Sequence, residues 1–225
     1  MELEKYVEYL SEKLDFSSDS ERAVSMAKYM RNKFSFYGVP APIRKKVVAE
    51  YIAGNGYPEF SQWLELAKTA WSEPREVQYA MLDIWIKRKK QIPKDAEEFL
   101  EFIITENSWW DTVDSIASSL VGQWVMAYPE KKEYIENNWL TSNNLWLQRT
   151  AIIYQLKHKE KTDLKILENA IRYSADHPDF FIRKAIGWVL REYSKVNQKW
   201  VEDILNKHQL SNLSVREAMK WVNRQ

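Results

Sequence analysis

The sequence predicts an all-α protein, an α-solenoid of HEAT-like two-helix repeats whose lining helices present one concave face. Three observations carry this. Only 5 of the 225 residues are Gly, and no stretch sustains the period-two alternation of a strand. Apolar residues recur at helical spacing in one segment after another, with short breaks between them. A step of 35 residues then relates four of these segments. "EVQYAMLDIW" (76–85), "DTVDSIASSL" (111–120), "WLQRTAIIYQL" (146–156) and "FIRKAIGWVL" (181–190) align so that Tyr79, Asp114, Arg149 and Lys184 are equivalent. A second row, Asp83, Ser118, Ile153 and Trp188, is chemically mixed and supports the step by spacing alone. Stacked repeats place equivalent positions in rows across one face.

The helices are expected near 2–14, 19–34, 42–54, 58–71, 74–89, 94–106, 109–127, 129–138, 144–158, 162–176, 179–195, 198–208 and 213–223. Turn chemistry separates them: "GVPAP" (38–42), "GNGYP" (54–58), "SEP" (72–74), "YPEK" (128–131) and "SADHPD" (174–179). No linker is long or low in complexity, so residues 1–225 are expected to form one continuous domain.

Composition narrows the function classes. With no Cys, disulfides and thiolate-bound metals are excluded. The three His (His158, His177, His208) are far apart, and no metal-ligand spacing occurs, so neither a metal nor another cofactor is expected. "MELEKYVEYL" is too charged for a signal peptide and no apolar run reaches membrane length, which leads to the expectation of a cytoplasmic protein. Of the 11 Trp, some must be core, since each supplies a large buried area. The net charge of +1 hides an asymmetry: residues 1–140 hold 18 Lys+Arg against 23 Asp+Glu, and residues 141–225 hold 15 against 9. The basic part suits a polyanion, and equally a solvated Lys-rich surface.

Candidate functional residues lie beside the core stripes. From Trp109 onward, Val113, Ile116, Ala117, Leu120 and Trp124 make the apolar stripe, while Trp110 and Asp114 share a neighbouring face one turn apart. Taken alone, such a pair favours a structural role at the edge of a core. In 179–195 the core stripe is Ile182, Ala185, Ile186 and Val189; Lys184, Trp188, Arg191 and Lys195 form another. A Trp among cations fits a sugar–phosphate backbone, or a surface Trp decorated by its own neighbours. The row Asp114–Arg149–Lys184 admits two arrangements. Arg149 can pair with Asp114, or face a phosphate and leave Asp114 available. Arg44, Lys45 and Lys46 crowd a helix start, which disfavours them unless an anion sits there. They are equally readable as solvated cations.

Four segments, "AKYMRNKFSFYGVPAPIRKK" (27–46), "SWWDTVD" (108–114), "LWLQRTAIIYQLKHK" (145–159) and "FFIRKAIGWVLREYSK" (180–195), together resemble the AlkD-like DNA-alkylation-repair glycosylases. The likeness covers nearly the whole chain in order. It implies HEAT-like repeats with a concave DNA-binding face, and excision of cationic N3- and N7-alkylated purines from duplex DNA with the base left in the stack. It assigns catalysis to Trp110, Asp114 and Trp188, places Tyr29 near the lesion and Arg149 on the DNA backbone, and carries Arg44, Lys184 and Arg191 as further DNA contacts. An alkylated purine already bears positive charge and leaves readily. What remains is to stabilise the cationic sugar and position water, which a carboxylate and indole faces can do. Asp111 is read as a first-turn acid.

The expected partner is double-stranded DNA carrying alkylated purines, bound by a monomer, with no membrane. Two other classes stay open: a non-catalytic DNA-binding HEAT-like protein, which would bind with steep salt dependence and release no base, and a protein-binding helical scaffold, which would show no such affinity.

Overall fold

Caps written into the sequence set the helix starts. Asp19, Asn144, Asp163, Asp179, Asn197 and Ser211 each precede a helix and accept a backbone N–H of its first turn. Pro42 lies in a first turn, where its missing N–H costs no bond. The computed structural model describes residues 3–224. Among them every regular element is helical and none is a strand. The helices are α1 (Leu3–Phe16), α2 (Ser20–Tyr29), α3 (Ala41–Asn55), α4 (Trp63–Ala70), α5 (Arg75–Lys87), α6 (Glu97–Thr105), α7 (110–127), α8 (131–140), α9 (Leu145–Ile153), α10 (Leu164–Tyr173), α11 (Phe180–Ser194), α12 (Gln198–Lys207) and α13 (Asn212–Ala218). Short 3-10 turns extend several ends.

The residues group into two compact units, one reaching Asn107 and one beginning at Ser108. In the first, α1, α3 and α5 pack on one another, and α4 packs on α6. Trp85 is the centre of its aromatic core, with ring centroids 5.9 Å from Trp63, 5.6 Å from Trp71 and 5.0 Å from Phe99. In the second unit α7, α9, α11 and α13 lie side by side in one layer, each packed on the next. Helices α8 and α10 pack behind them, and α12 is tied to α10 by Lys207 and His208, which both reach Glu168. The core stripes expected on α7 (Val113, Ile116, Ala117, Leu120, Trp124) and α11 (Ile182, Ala185, Ile186, Val189) are all buried.

Several helices differ from the sequence pattern, two of them as follows. The second stops at Tyr29 rather than running to 34, because Arg31 and Asn32 take left-handed φ of 57° and 55°. The long helix from 110 contains a π-helical stretch, Ile116–Val121, between the α-helical pieces Trp110–Ser115 and Gly122–Ala127. Just past it Gly122 is wedged so closely that a Cβ would meet the Tyr154 carbonyl oxygen at 2.6 Å.

The loop before α3 is held from α5 by a buried charge. Glu76 is fully buried; its Oε1 accepts the N–H of Gly38 (2.8 Å) and Val39 (3.0 Å), and its Oε2 that of Tyr37 (3.1 Å). Gly38 has φ +86°, and a Cβ there would meet the Asp19 carbonyl oxygen at 2.1 Å, so no side chain fits. Truncating Glu76 strands three backbone donors at once. Glu76→Ala should lower unfolding free energy by on the order of 3 kcal/mol, read as a fall in the urea midpoint; a midpoint within error of wild type would refute this role.

Candidate functional site: a carboxylate among aromatics

The site lies on the layer of α7, α9 and α11. Trp109 precedes α7 in extended backbone and turns inward, buried, with its ring 5.0 Å from Phe181 and 5.7 Å from Trp146. That anchor leaves Trp110, the next residue, half-buried on the adjoining face. Asp114 follows one turn later and is 17% exposed. Asp111 sits in the first turn, where an acid suits the helix dipole.

The neighbour of Asp114 is Arg149 of α9. Arg149 Nε donates to Oδ1 at 2.8 Å and Nη2 to Oδ2 at 2.9 Å, a bidentate pair, while Nη1 donates to the Phe181 carbonyl oxygen. Of the two arrangements open to the row, the ion pair is the one present. The guanidinium, 5% exposed, is directed at protein acceptors from all three nitrogens. Arg149, implied by the resemblance to hold the DNA backbone, is therefore placed here to fix the carboxylate.

Trp110, Asp114, Arg149, Phe180, Phe181 and Lys184 line one cavity of about 230 Å³. Three of the six are aromatic, two are the Asp114–Arg149 pair, and the last is Lys184. Asp179 caps α11 at the Phe181 N–H (2.6 Å), leaving Phe180 half exposed. Burial pushes the Asp114 carboxyl above the ordinary carboxylate range; the Arg149 hydrogen bonds and charge oppose this, Asp111 adds to it, and the net direction is up.

The remaining candidates lie elsewhere. Trp188 is half-buried, one turn beyond Lys184 on α11, and does not line the cavity. Arg191 lies further along the same helix, 3.5 Å from Glu217. In the first unit Tyr29 is exposed and lines a separate cavity of about 260 Å³ with Ser25, Met26, Met30, Phe36 and Tyr79. Arg44 is not a free helix-start cation: it pairs with Asp83 at 3.0 Å and lies 5.1 Å over the Tyr79 ring. Arg44 stands 35 residues before Tyr79, so the row extends one step further back. Spacing alone could have found that. Phe180, Phe181 and Glu217 were not among the sequence candidates. The double Phe directly after a capping Asp was the available signal for the first two.

Over residues 10–222 the chain matches the protein family described as DNA alkylation repair enzyme. No curated protein matches it significantly. A solved structure described as a predicted DNA alkylation repair enzyme from Enterococcus faecalis is 32% identical, with a TM-score of 0.82 covering 92% of this chain and 98% of that one. The structure of AlkD2 from Streptococcus mutans is 18% identical, with a TM-score of 0.60 over 79% of this chain and 89% of that one. Protein smu.31 from Streptococcus mutans UA159 is 17% identical, with a TM-score of 0.64 over 97% and 98%. At those lower identities the likeness concerns the helical fold alone.

The ion pair makes a pH-dependent prediction. With Asp114 protonating above its unfolded value, the ionised carboxyl is what the fold disfavours, and Arg149 is what offsets this. Arg149→Gln should raise the Asp114 pKa further. It should cost about 3–5 kcal/mol where Asp114 is ionised, and the deficit should shrink as pH falls through the raised pKa. Urea unfolding at neutral pH and near pH 4 measures this; a deficit that grows in acid would contradict it.

Proposed function

The chain belongs to the DNA alkylation repair enzyme family, and on that premise we propose that it is a DNA glycosylase that hydrolyses the N-glycosidic bond of cationic N3- and N7-alkylated purines in duplex DNA. The observation that carries this reading is the cavity in which a carboxylate, fixed by Arg149, is walled by Trp110, Phe180 and Phe181. Such a cavity receives a group that is both apolar in contact area and positively charged as it reacts.

The substrate base carries its charge before reaction. As the bond from C1′ to the ring nitrogen breaks, the electron pair goes to the base, which leaves neutral, and positive charge passes to the sugar. Asp114 offers a negative charge to that sugar. Each of its oxygens gives Arg149 one lone pair and keeps capacity to accept from a water. The water oxygen bonds to C1′ and its proton is released. The indole of Trp110 adds its electron-rich face to the stabilisation, and Trp188, on the adjoining turn of α11, is assigned the same task toward the deoxyribose or base. Because the groups stabilise the sugar rather than enclose the base, the reaction is proposed to proceed with the base left in the stack. Lys184 and Arg191 on α11, and Tyr29 and Arg44 in the first unit, complete the proposed duplex contacts. The enzyme is proposed to act as a cytoplasmic monomer and to use no cofactor.

Asp114→Asn should slow release of 7-methylguanine and 3-methyladenine from alkylated duplex by on the order of 10²–10³-fold, while duplex binding persists. The same change leaves the Arg149 charge without its counter-ion. The double variant Asp114→Asn/Arg149→Gln, neutral at both positions, separates lost chemistry from lost fold. Free base is measured by chromatography. Release at the wild-type rate from either variant would remove Asp114 from the reaction, and binding with no release by the wild type would select a non-catalytic DNA-binding protein.

A further inference from the structure

Beyond the Asp114–Arg149 pair, α7 and the chain of α9 meet a second time. The π-helical stretch Ile116–Val121 packs on the 3-10 turn Tyr154–Lys157 that follows α9. Lys157 Nζ donates to Ser119 Oγ at 2.7 Å. His158 Nε2 lies 3.0 Å from the Gly122 carbonyl oxygen. Gly122, where no Cβ fits, rests against the Tyr154 carbonyl. Ser119, Gly122 and His158 are all buried, and the chemistry proposed for Asp114 uses none of them.

A π-helical turn is rare beside the α-helix that competes with it, so its surroundings must favour it. The turn after α9 supplies those surroundings. A carbonyl only accepts, so the His158 proton sits on Nε2 and the ring is the donor. Burial disfavours the charged ring most; the Gly122 bond opposes this, Lys132 of α8 adds to it, and the pKa lies below the ordinary histidine value. His158 is therefore neutral at neutral pH, with its tautomer fixed by the bond it makes. At the other end, the bidentate Arg149–Asp114 pair needs guanidinium and carboxylate aligned. One contact between two helices leaves them free to turn about it. A second, about two turns further along α7, removes that freedom.

We propose that His158 and Lys157 are positioning residues for Asp114: gripping the π-helical stretch from the turn after α9, they keep the carboxylate seated on Arg149. They act through Gly122 and Ser119, not on the reacting atoms. Loss of the His158 donor frees Gly122, the stretch relaxes toward an ordinary α-helix, and Asp114 shifts on its guanidinium. The bidentate contact then opens while the carboxylate stays buried, so Asp114 protonates at still higher pH. Asp111 on the same helix and Lys184 in the same cavity also carry charge near Asp114, and this step changes neither. The consequence for base release rests on the glycosylase reading above; the positioning itself rests on the packing of α7.

The test is the titration of Asp114 in the full chain, followed by its carboxyl 13C shift, with Asp114→Asn to assign the signal. His158→Phe keeps a ring and removes the donor; Ser119→Ala removes the Lys157 acceptor. Each should raise the Asp114 midpoint, whereas a merely structural loss would lower the Tm and leave the midpoint in place. His158→Gln, whose amide can offer an N–H near the position of Nε2, should restore it. Base release from alkylated duplex should fall by on the order of 10- to 100-fold for His158→Phe, with duplex affinity unchanged. A midpoint at or below wild type in either folded variant, or no restoration by His158→Gln, overturns the positioning role and leaves the glycosylase reading standing. If the wild type releases no base, the proposed function falls, and the titration alone decides the positioning.

Discussion

The Asp114–Arg149 pair is the constraint on which the candidate site of the second unit depends. Two helices, α7 and α9, meet at this contact, and a third, α11, is drawn in because Arg149 also reaches the Phe181 carbonyl oxygen. A carboxylate this deep is held off its ordinary titration by burial, and only the guanidinium keeps its charge affordable. The pair therefore does two things. It orients the carboxylate toward a cavity with aromatic walls, and it fastens neighbouring repeats to each other at the position where the reaction is proposed. Packing of the helices and orientation of the carboxylate meet in one interaction, so neither can be altered there without touching the other.

Much of this was legible in the sequence, and for identifiable reasons. The helices announce themselves through Asp, Asn and Ser caps, and the core faces of α7 and α11 follow from spacing alone. The 35-residue step identified adjacency for two pairs of row members, Arg44 over Tyr79 and Arg149 on Asp114. What spacing cannot give is the direction a side chain takes once adjacent. Both arrangements of Arg149 have the same spacing, and only the packed structure distinguishes an arginine buried on its acid from one facing outward. Glu217 escaped for another reason. The row after Lys184 would continue at Met219, so a carboxylate two positions short of it carries no periodic signal. The end of α2 was misjudged because Arg31 and Asn32 adopt a left-handed backbone that their residue types permit but do not announce.

The π-helical stretch Ile116–Val121 carries a consequence for how α7 presents its two ends. A π turn holds an additional residue relative to the α-helix, and each residue of an α-helix rotates the chain by about 100°. All six residues of the stretch are buried, and Trp124 beyond it is anchored in the core. The stretch thus sets the phase between the core-facing end of the helix and the end that bears Trp110 and Asp114. Ser118 Oγ, from inside the stretch, donates to the Asp114 carbonyl oxygen at 2.8 Å and ties that phase to the backbone of the acid itself. A chain one residue shorter here would keep its hydrophobicity, its caps and its carboxylate, yet swing that carboxylate about a quarter-turn away from Arg149. The register between Asp114 and Arg149 is therefore stored in residue count, a quantity that composition and side-chain chemistry leave unspecified.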